Sequence, residues 1–376
     1  MFKQVLLGGT ALIGAAAMAA PSYAGTVGSK DAMSVSLGGT LRFYTGMADQ
    51  DVSAGRGRGY SFNVDESEVK VSASNTADNG IKYGVTIELN AAAADTRAAD
   101  EAYAFLDSDQ WGRLELGDQD DASDRMALHA FNVLVGRAGA DGDAADYIQF
   151  GGSTISAPGF DSTSDDTKIN YFSPRFGGFQ IGASLTPDSG VTSGTGGLLD
   201  TDNDGDFENV VGLGANWKGK FDEVSIAVGV VGEFGDSETA SGSAAEGDIE
   251  SIGVGANIEF AGFGFGAFYA DLSDKGIASA AIATGADAGS YYDLGVSYKT
   301  GPWGISLGYF ASEVSNGGAI TDSEVEMWSL DVAYDVAPGW ELMGSLHIAE
   351  ADNINGTAVA VNNDASAFIV TNEFSF

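Results

Sequence analysis

Asp200, Asp202 and Asp204, followed by Gly205, lie in the stretch Asp200-Thr-Asp-Asn-Asp-Gly-Asp-Phe-Glu208 and form the chain's one metal-like arrangement. Short acids at spacing two converge on a hard cation and glycine makes the turn, which is how a calcium loop begins. The twelfth position, acidic in an EF-hand, is Val211, so an EF-hand is excluded. With Asp206 and Glu208 completing it, the stretch reads either as a weak calcium site or as a solvated acidic loop. Gly304-Ile-Ser-Leu-Gly308 matches the G-x-S-x-G pattern of serine hydrolases. That chemistry needs a sharp strand-to-helix turn, whereas Trp303, Ile305, Leu307 and Tyr309 alternate straight through, so the match is by chance. His129 and His347 are the only histidines, and neither has a local nucleophile with an orienting partner. No phosphate-cradling or dinucleotide motif is present, so no cofactor is required beyond the calcium of the first reading.

Charge is the second chemical feature. Asp118, Asp120, Asp121, Asp124, Asp141, Asp143 and Asp146 crowd one long polar segment, while Arg42, Lys70, Lys82, Arg113 and Lys168 stand at alternate positions of extended stretches. Glu66, Glu68, Glu88 and Glu115 share the face of those bases. Seventeen Lys+Arg against 54 Asp+Glu argue against a nucleic-acid partner, since polyphosphate binding is driven by basic side chains.

The elements that must position these groups are strands. Val35, Leu37, Leu41 and Phe43 share one face against Ser34, Ser36, Thr40, Arg42 and Tyr44; Ile81, Tyr83, Val85, Ile87 and Leu89 oppose Lys82, Thr86, Glu88 and Asn90 in the same way. This period-two pattern predicts about sixteen strands, at 33–46, 60–75, 80–91, 100–107, 111–117, 167–174, 178–186, 208–218, 222–234, 248–260, 263–272, 290–300, 303–313, 323–336, 340–351 and 365–376. The connections alternate between long polar ones (46–59, 91–99, 118–166, 186–207, 235–247, 273–289, 312–322, 351–364) and tight turns. Outer-membrane barrels keep that rhythm and soluble sandwiches do not. Trp111, Trp217, Trp303 and Trp340 sit beside the tight turns, which predicts an aromatic belt at one rim.

Residues 1–24, with Lys3, an apolar run from Val5 to Ala20 and small residues at Ser22 and Ala24, read as an export signal, leaving 25–376 as one barrel domain. Export without a single cysteine leaves stability to a core or to closed hydrogen bonding. A disordered acidic chain is excluded by 44% hydrophobic and 10% aromatic residues spread evenly. The chain closes on FIVTNEFSF, where Phe368, Val370, Phe374 and Phe376 share a face; the last strand can then pair with the first and remove the sheet's edges.

The stretches LGGTLRFYTGMADQD (37–51), SASNTADNGIKYGVTIEL (72–89), GRLELGDQDDASD (112–124), YFSPRFGGFQIGASL (171–185) and the closing FSF resemble the general diffusion porins of Gram-negative outer membranes, in particular the alphaproteobacterial ones. The resemblance covers the chain after residue 24. Asn372 departs from it, being polar where the lipid-facing alternation asks for an apolar group. The resemblance implies an all-β, 16-stranded antiparallel transmembrane barrel, assembled as a homotrimer among outer-membrane lipid and lipopolysaccharide, that passes ions and small hydrophilic solutes. It also implies that the long third loop, 118–166, folds inward and narrows the lumen. The loop acids would then face the wall bases across the water column and order dipolar solutes in a transverse field, and the four wall glutamates tilt the expectation toward cations. Calcium on the fourth outer connection could bridge to lipopolysaccharide. A solute-selective porin for sugars or cations is the alternative, and a plugged structural or lipid-modifying barrel is the reading from another class.

Overall fold

An extended backbone gives each strand one apolar and one polar face, and a sheet of such strands keeps two unpaired edges unless it closes on itself. The computed structural model describes residues 33–52, 59–91, 99–136, 143–190, 205–240 and 243–376. In it the sheet closes. The strands are β1 (Ser34–Gln50), β2 (Tyr60–Thr76), β3 (Lys82–Asn90), β4 (Ala102–Ser108), β5 (Gly112–Asp118), β6 (Thr167–Phe172), β7 (Phe179–Asp188), β8 (Phe207–Phe221), β9 (Val224–Ser237), β10 (Ile249–Phe260), β11 (Phe263–Asp271), β12 (Ser290–Thr300), β13 (Trp303–Val314), β14 (Ser323–Ala337), β15 (Trp340–Asp352) and β16 (Asn363–Ser375). Each pairs antiparallel with its sequence neighbours, and β1 pairs with β16 to make a closed 16-stranded barrel.

The predicted spans fall on these strands, and the largest differences lie toward the long connections. β1 runs four residues further than predicted, to Gln50, because its partner also continues: Asp49 faces Ser366 and Gln50 faces Ala365. The last strand closes the barrel as its pattern predicts. Leu41 lies opposite Phe374, the Gly39 amide donates to the Phe376 carbonyl (3.1 Å), and the Phe376 amide donates back to Gly39 (3.0 Å). Asn372 does point outward, and its side-chain oxygen accepts the Trp340 indole N–H at 3.4 Å, so the polar atom has a partner at the rim.

Outward positions are apolar and exposed, among them Leu41, Phe43, Val254, Leu294, Leu307 and Ile348. The tight-turn rim carries the expected aromatics. Trp303 packs on Tyr334 at 4.4 Å between ring centroids, Trp340 on Phe374 at 5.6 Å and Trp217 on Phe221 at 5.8 Å, while the Tyr171 hydroxyl donates to the Trp111 carbonyl. A second belt, which the tryptophan spacing alone did not announce, lies toward the long connections. There Trp328 packs on Tyr309 (4.6 Å), Tyr309 on Tyr292 (5.8 Å) and Phe43 on Phe62 (6.2 Å). Amphipathic rings at both edges of an apolar band mark the two membrane interfaces.

The β10–β11 turn shows how local chemistry sets register. Phe260 pairs with Phe263, leaving Ala261 and Gly262 as a two-residue loop, both with positive φ (49° and 85°). That is the type I′ geometry that matches strand twist, and it suits Asn-Gly better than Ala-Gly, because the short polar side chain of Asn hydrogen-bonds locally and offsets the about 1 kcal/mol that a β-carbon costs in the left-handed region. Ala261→Asn is therefore expected to stabilise the barrel by about that amount, read as a higher urea midpoint; an unchanged or lower midpoint would contradict the assignment.

Candidate functional site

The inward face differs from the outward one in that glycine takes many of its positions. Gly182 and Gly214 lie under Met126, Gly266 under Ala130, Gly295 under Leu134 and Gly304 under Val135. A β-carbon on Gly214 would stand 2.6 Å from the Met126 β-carbon, and one on Gly266 would stand 2.7 Å from the Ala130 α-carbon. The residues seated on this track all belong to the β5–β6 connection, which begins with helix α1 (Ala122–Met126). The connection therefore packs against inward-facing positions from β7 to β13, with glycine letting it approach the wall closely.

Hydrogen bonds fasten it along the same path. The Ala122 amide donates to Ser184 Oγ (3.2 Å), the Val135 amide to Ser306 Oγ (3.1 Å) and Ser297 Oγ to the Val133 carbonyl (2.6 Å). Asp293 takes the Ala130 amide and the His129 ring, the latter at 3.2 Å. Further on, the Ser162 amide donates to Glu233 (2.8 Å), Tyr291 to the Gly159 carbonyl (2.8 Å) and Ser312 to the Ile155 carbonyl (2.7 Å). Gln50 and Asn363 close the circuit through Tyr147 and Gln149. Between these ties Tyr147, Ile148, Phe150 and Phe160 bury themselves with Tyr44, Phe268, Tyr291, Phe310 and Met327.

The wall charges are paired rather than free. Arg42, almost fully buried, reaches Glu66 at 2.7 Å and Glu373 at 3.2 Å. Lys70 pairs with Glu88 across β2 and β3. Lys168 donates to the Gln119 carbonyl (2.5 Å) and to the Ser164 carbonyl, so it holds the backbone of the connection. Arg113 and Arg125 share one fully buried carboxylate, Glu115. Their guanidinium carbons also lie over the Phe105 ring (4.1 Å) and the Phe172 ring (4.6 Å). Glu68 sits on β2 facing Asn90. Lys82 is the outlier: it faces Asp107 at the tight-turn end of β3, six residues from Glu88. At the rise of a strand that is about 20 Å from Glu88 along β3.

Among the acids, Asp118 accepts Thr167 Oγ1 (2.6 Å) and Asp146 accepts Asn63 (3.0 Å). Asp121 caps α1 by accepting the Asp124 amide (2.8 Å) and the Ser123 hydroxyl. Asp121, Asp161 and Glu233 bring carboxylate oxygens within 4.8 Å of one another, and so do Glu101, Asp120 and Asp165. Crowding of that kind holds protons. Burial, with Asp161 nearby, pushes Asp120 up to about 6; burial together with the neighbouring acids pushes Asp121 and Asp124 well above the usual carboxylate range. Asp141, Asp200, Asp202 and Asp204 lie outside the described residues, as does the side chain of Asp143. Asp206 and Glu208 stand at the start of β8. Gly304-Ile-Ser-Leu-Gly308 runs straight within β13, and its serine holds Asp331 at 3.0 Å.

A family model described as Gram-negative porin matches residues 9–354. The chain belongs to the Gram-negative porin family. It is an outer-membrane channel protein. The porin is 23% identical over 303 residues to an uncharacterized protein of Rickettsia conorii, the match covering 63% of this chain and 66% of that one, just under two thirds of the relative's length. Its fold is similar to an anion-selective porin from Comamonas acidovorans, with TM-score 0.64 and 15% identity over 92% of this chain and all of the other. It is also similar to an in-vitro folded outer-membrane protein of Vibrio cholerae in its trimer form, with TM-score 0.59 and 13% identity over 92% of this chain and all of the other.

Proposed function

We propose that this porin passes ions and small hydrophilic solutes passively through a lumen narrowed by the connection 119–166, with a preference for cations, and that it works as a homotrimer. The observation that carries the reading is the ring of ties just described. It holds a long acidic segment against inward positions from β1 round to β13, beside wall bases already neutralised by Glu66, Glu88, Glu115 and Glu373. Within that segment acids outnumber bases, which favours cations. The trimer rests on the trimer form of the similar Vibrio cholerae protein, and outer-membrane lipid with lipopolysaccharide is its expected surround. Asp200, Asp202, Asp204, Asp206 and Glu208 are assigned as a weak calcium site on the fourth outer connection. No catalytic step is assigned. His129 is engaged with Asp293, and the serine of the G-x-S-x-G stretch anchors the connection.

Single-channel current in a planar bilayer tests the reading. Discrete steps in threes, with a cation-signed reversal potential under a potassium chloride gradient, are expected. A silent bilayer from folded protein would overturn the channel, and a reversal potential of chloride sign would overturn the cation preference. The apolar cluster around Tyr147 and Phe160 favours one second reading, a solute-selective channel of low conductance. A change of the trace on calcium chelation that Asp202→Asn/Asp204→Asn abolishes would support the ion on the fourth connection, and a change that survives the substitutions would remove it from there. Packing gives a further expected result. Gly266→Val drives two methyl groups into the backbone of Ala130, should cost about 1–3 kcal/mol as overpacking, and should raise conductance by loosening the connection. An unchanged conductance in a folded variant would separate this segment from the narrowing.

A further inference from the structure

The tight-turn end of the barrel contradicts the chain's overall charge of -37. A cavity of about 480 Å³ opens there, lined by Arg113, Arg125, Arg175 and Lys218 against only two acids, Asp107 and Asp109. Arg113 and Arg125 are fixed from behind by Glu115 and by the Phe105 and Phe172 rings, which leaves about a quarter of each side chain open to solvent. Arg175, on the β6–β7 turn, is held by neutral acceptors alone: the Gly178 carbonyl and Asn216 Oδ1 through one nitrogen (2.7 and 2.8 Å), and Gln180 Oε1 through another (2.5 Å). Among the described residues neither Arg175 nor Lys218 has a carboxylate partner. Four cations therefore meet around one cavity with three guanidinium planes already oriented, so little side-chain entropy remains to be lost when an anion arrives.

We propose that this cavity is a binding subsite for small multivalent oxyanions, carboxylate or phosphate, at the mouth of the pore formed by the tight turns. It adds to the channel reading a polarity between the two mouths, acidic at the long connections and basic at the turns. Guanidinium groups offer paired N–H donors that match the spacing of carboxylate and phosphate oxygens, and the cavity has room for an anion that keeps part of its water. An ion of either sign crossing the barrel would meet both regions in order, so the channel should respond unequally to anions added from its two sides.

The test uses the full-length folded protein in a planar bilayer, with citrate and inorganic phosphate added separately to each side. Block or reduced conductance from one side only, shifted to about tenfold higher concentration in Arg175→Gln/Lys218→Gln, is the expected result. Both residues are exposed, and a heat-modifiable band on a gel shows that the variant is folded. Equal block from both sides, no block, or block that the double substitution leaves unchanged would overturn the subsite. This inference rests on the channel reading, and the two can fail separately. If no current appears, the channel reading has failed and the subsite is read by isothermal titration of citrate into detergent-folded protein. Heat that the double variant loses supports it, and equal heat in both proteins overturns it.

Discussion

Replacing Glu115 by Gln is expected to move the reversal potential toward that of chloride and to lower the urea midpoint of the barrel. Glu115 has no exposed side-chain surface and is the one carboxylate between Arg113 and Arg125. An amide of the same shape keeps the volume but leaves two like charges facing each other. Removing one partner of a fully buried ion pair costs about 3–5 kcal/mol. Here both arginine side chains are about a quarter exposed and can turn toward water, so about 2 kcal/mol is the expected loss. The functional effect should exceed the structural one. Arg125 sits on α1 at the head of the packed connection, and without Glu115 it gains freedom to swing while its charge stays uncompensated. Planar-bilayer reversal potentials and urea titration of the same preparation check both parts. A reversal potential equal to wild type in a destabilised but folded variant would show that the triad is structural only.

Strand positions were legible because a barrel imposes period two on nearly every residue it contains, and lipid outside with water inside keeps the contrast high. Closure was legible for the same reason, from the spacing of Phe368, Val370, Phe374 and Phe376. The connection was harder. Its acids drew attention in the sequence, yet beside the hydrogen bonds what seats it is an apolar set, Met126, Leu128, Ala130, Val133, Leu134 and Val135, lying on inward glycines of other strands. The signal was present as a glycine count of 54 without collagen-like period, but the pairing of track and rider spans up to about half the chain, and no local window holds both halves. Lys82 shows the converse limit. Alternation fixes which face a side chain takes but not its depth along the strand, and Lys82 belongs to the turn end near Asp107. Arg125, Arg175 and Lys218 were passed over because each lies in a different element, and only the return of the β5–β6 connection onto the neighbouring strands brings it, the β6–β7 turn and β8 to one cavity. Asp161, Glu101 and Glu233 escaped notice for a similar reason, since nothing in their own neighbourhoods marks them as partners of Asp120 and Asp121.

Those crowded acids give the second large effect, a loss of cation preference between pH 7.5 and 5 with a midpoint near 6. Asp120 is pushed up to about 6 by burial and by Asp161, and Asp121 and Asp124 are pushed well above the usual carboxylate range by burial and the neighbouring acids. An ordinary exposed carboxylate titrates near 4 and stays charged across that range, so a step at 6 belongs to the buried set. Below it Asp120 is neutral, the connection carries less negative charge, and the potassium-to-chloride permeability ratio falls. Stability runs the opposite way. A carboxyl whose folded value lies above its unfolded value binds its proton more tightly when folded, so its contribution is fully present below about pH 4 and is lost as pH rises through 6. The connection should therefore grip the wall more firmly in acid while selecting cations less well. Asp120→Asn, a fixed neutral group, should show the low ratio already at pH 7.5 and a flatter profile between 5 and 7. A wild-type ratio that stays constant from pH 7.5 to 5, or an Asp120→Asn profile with the wild-type step intact, would remove Asp120 from the selective segment and place the charge that counts elsewhere on the barrel wall.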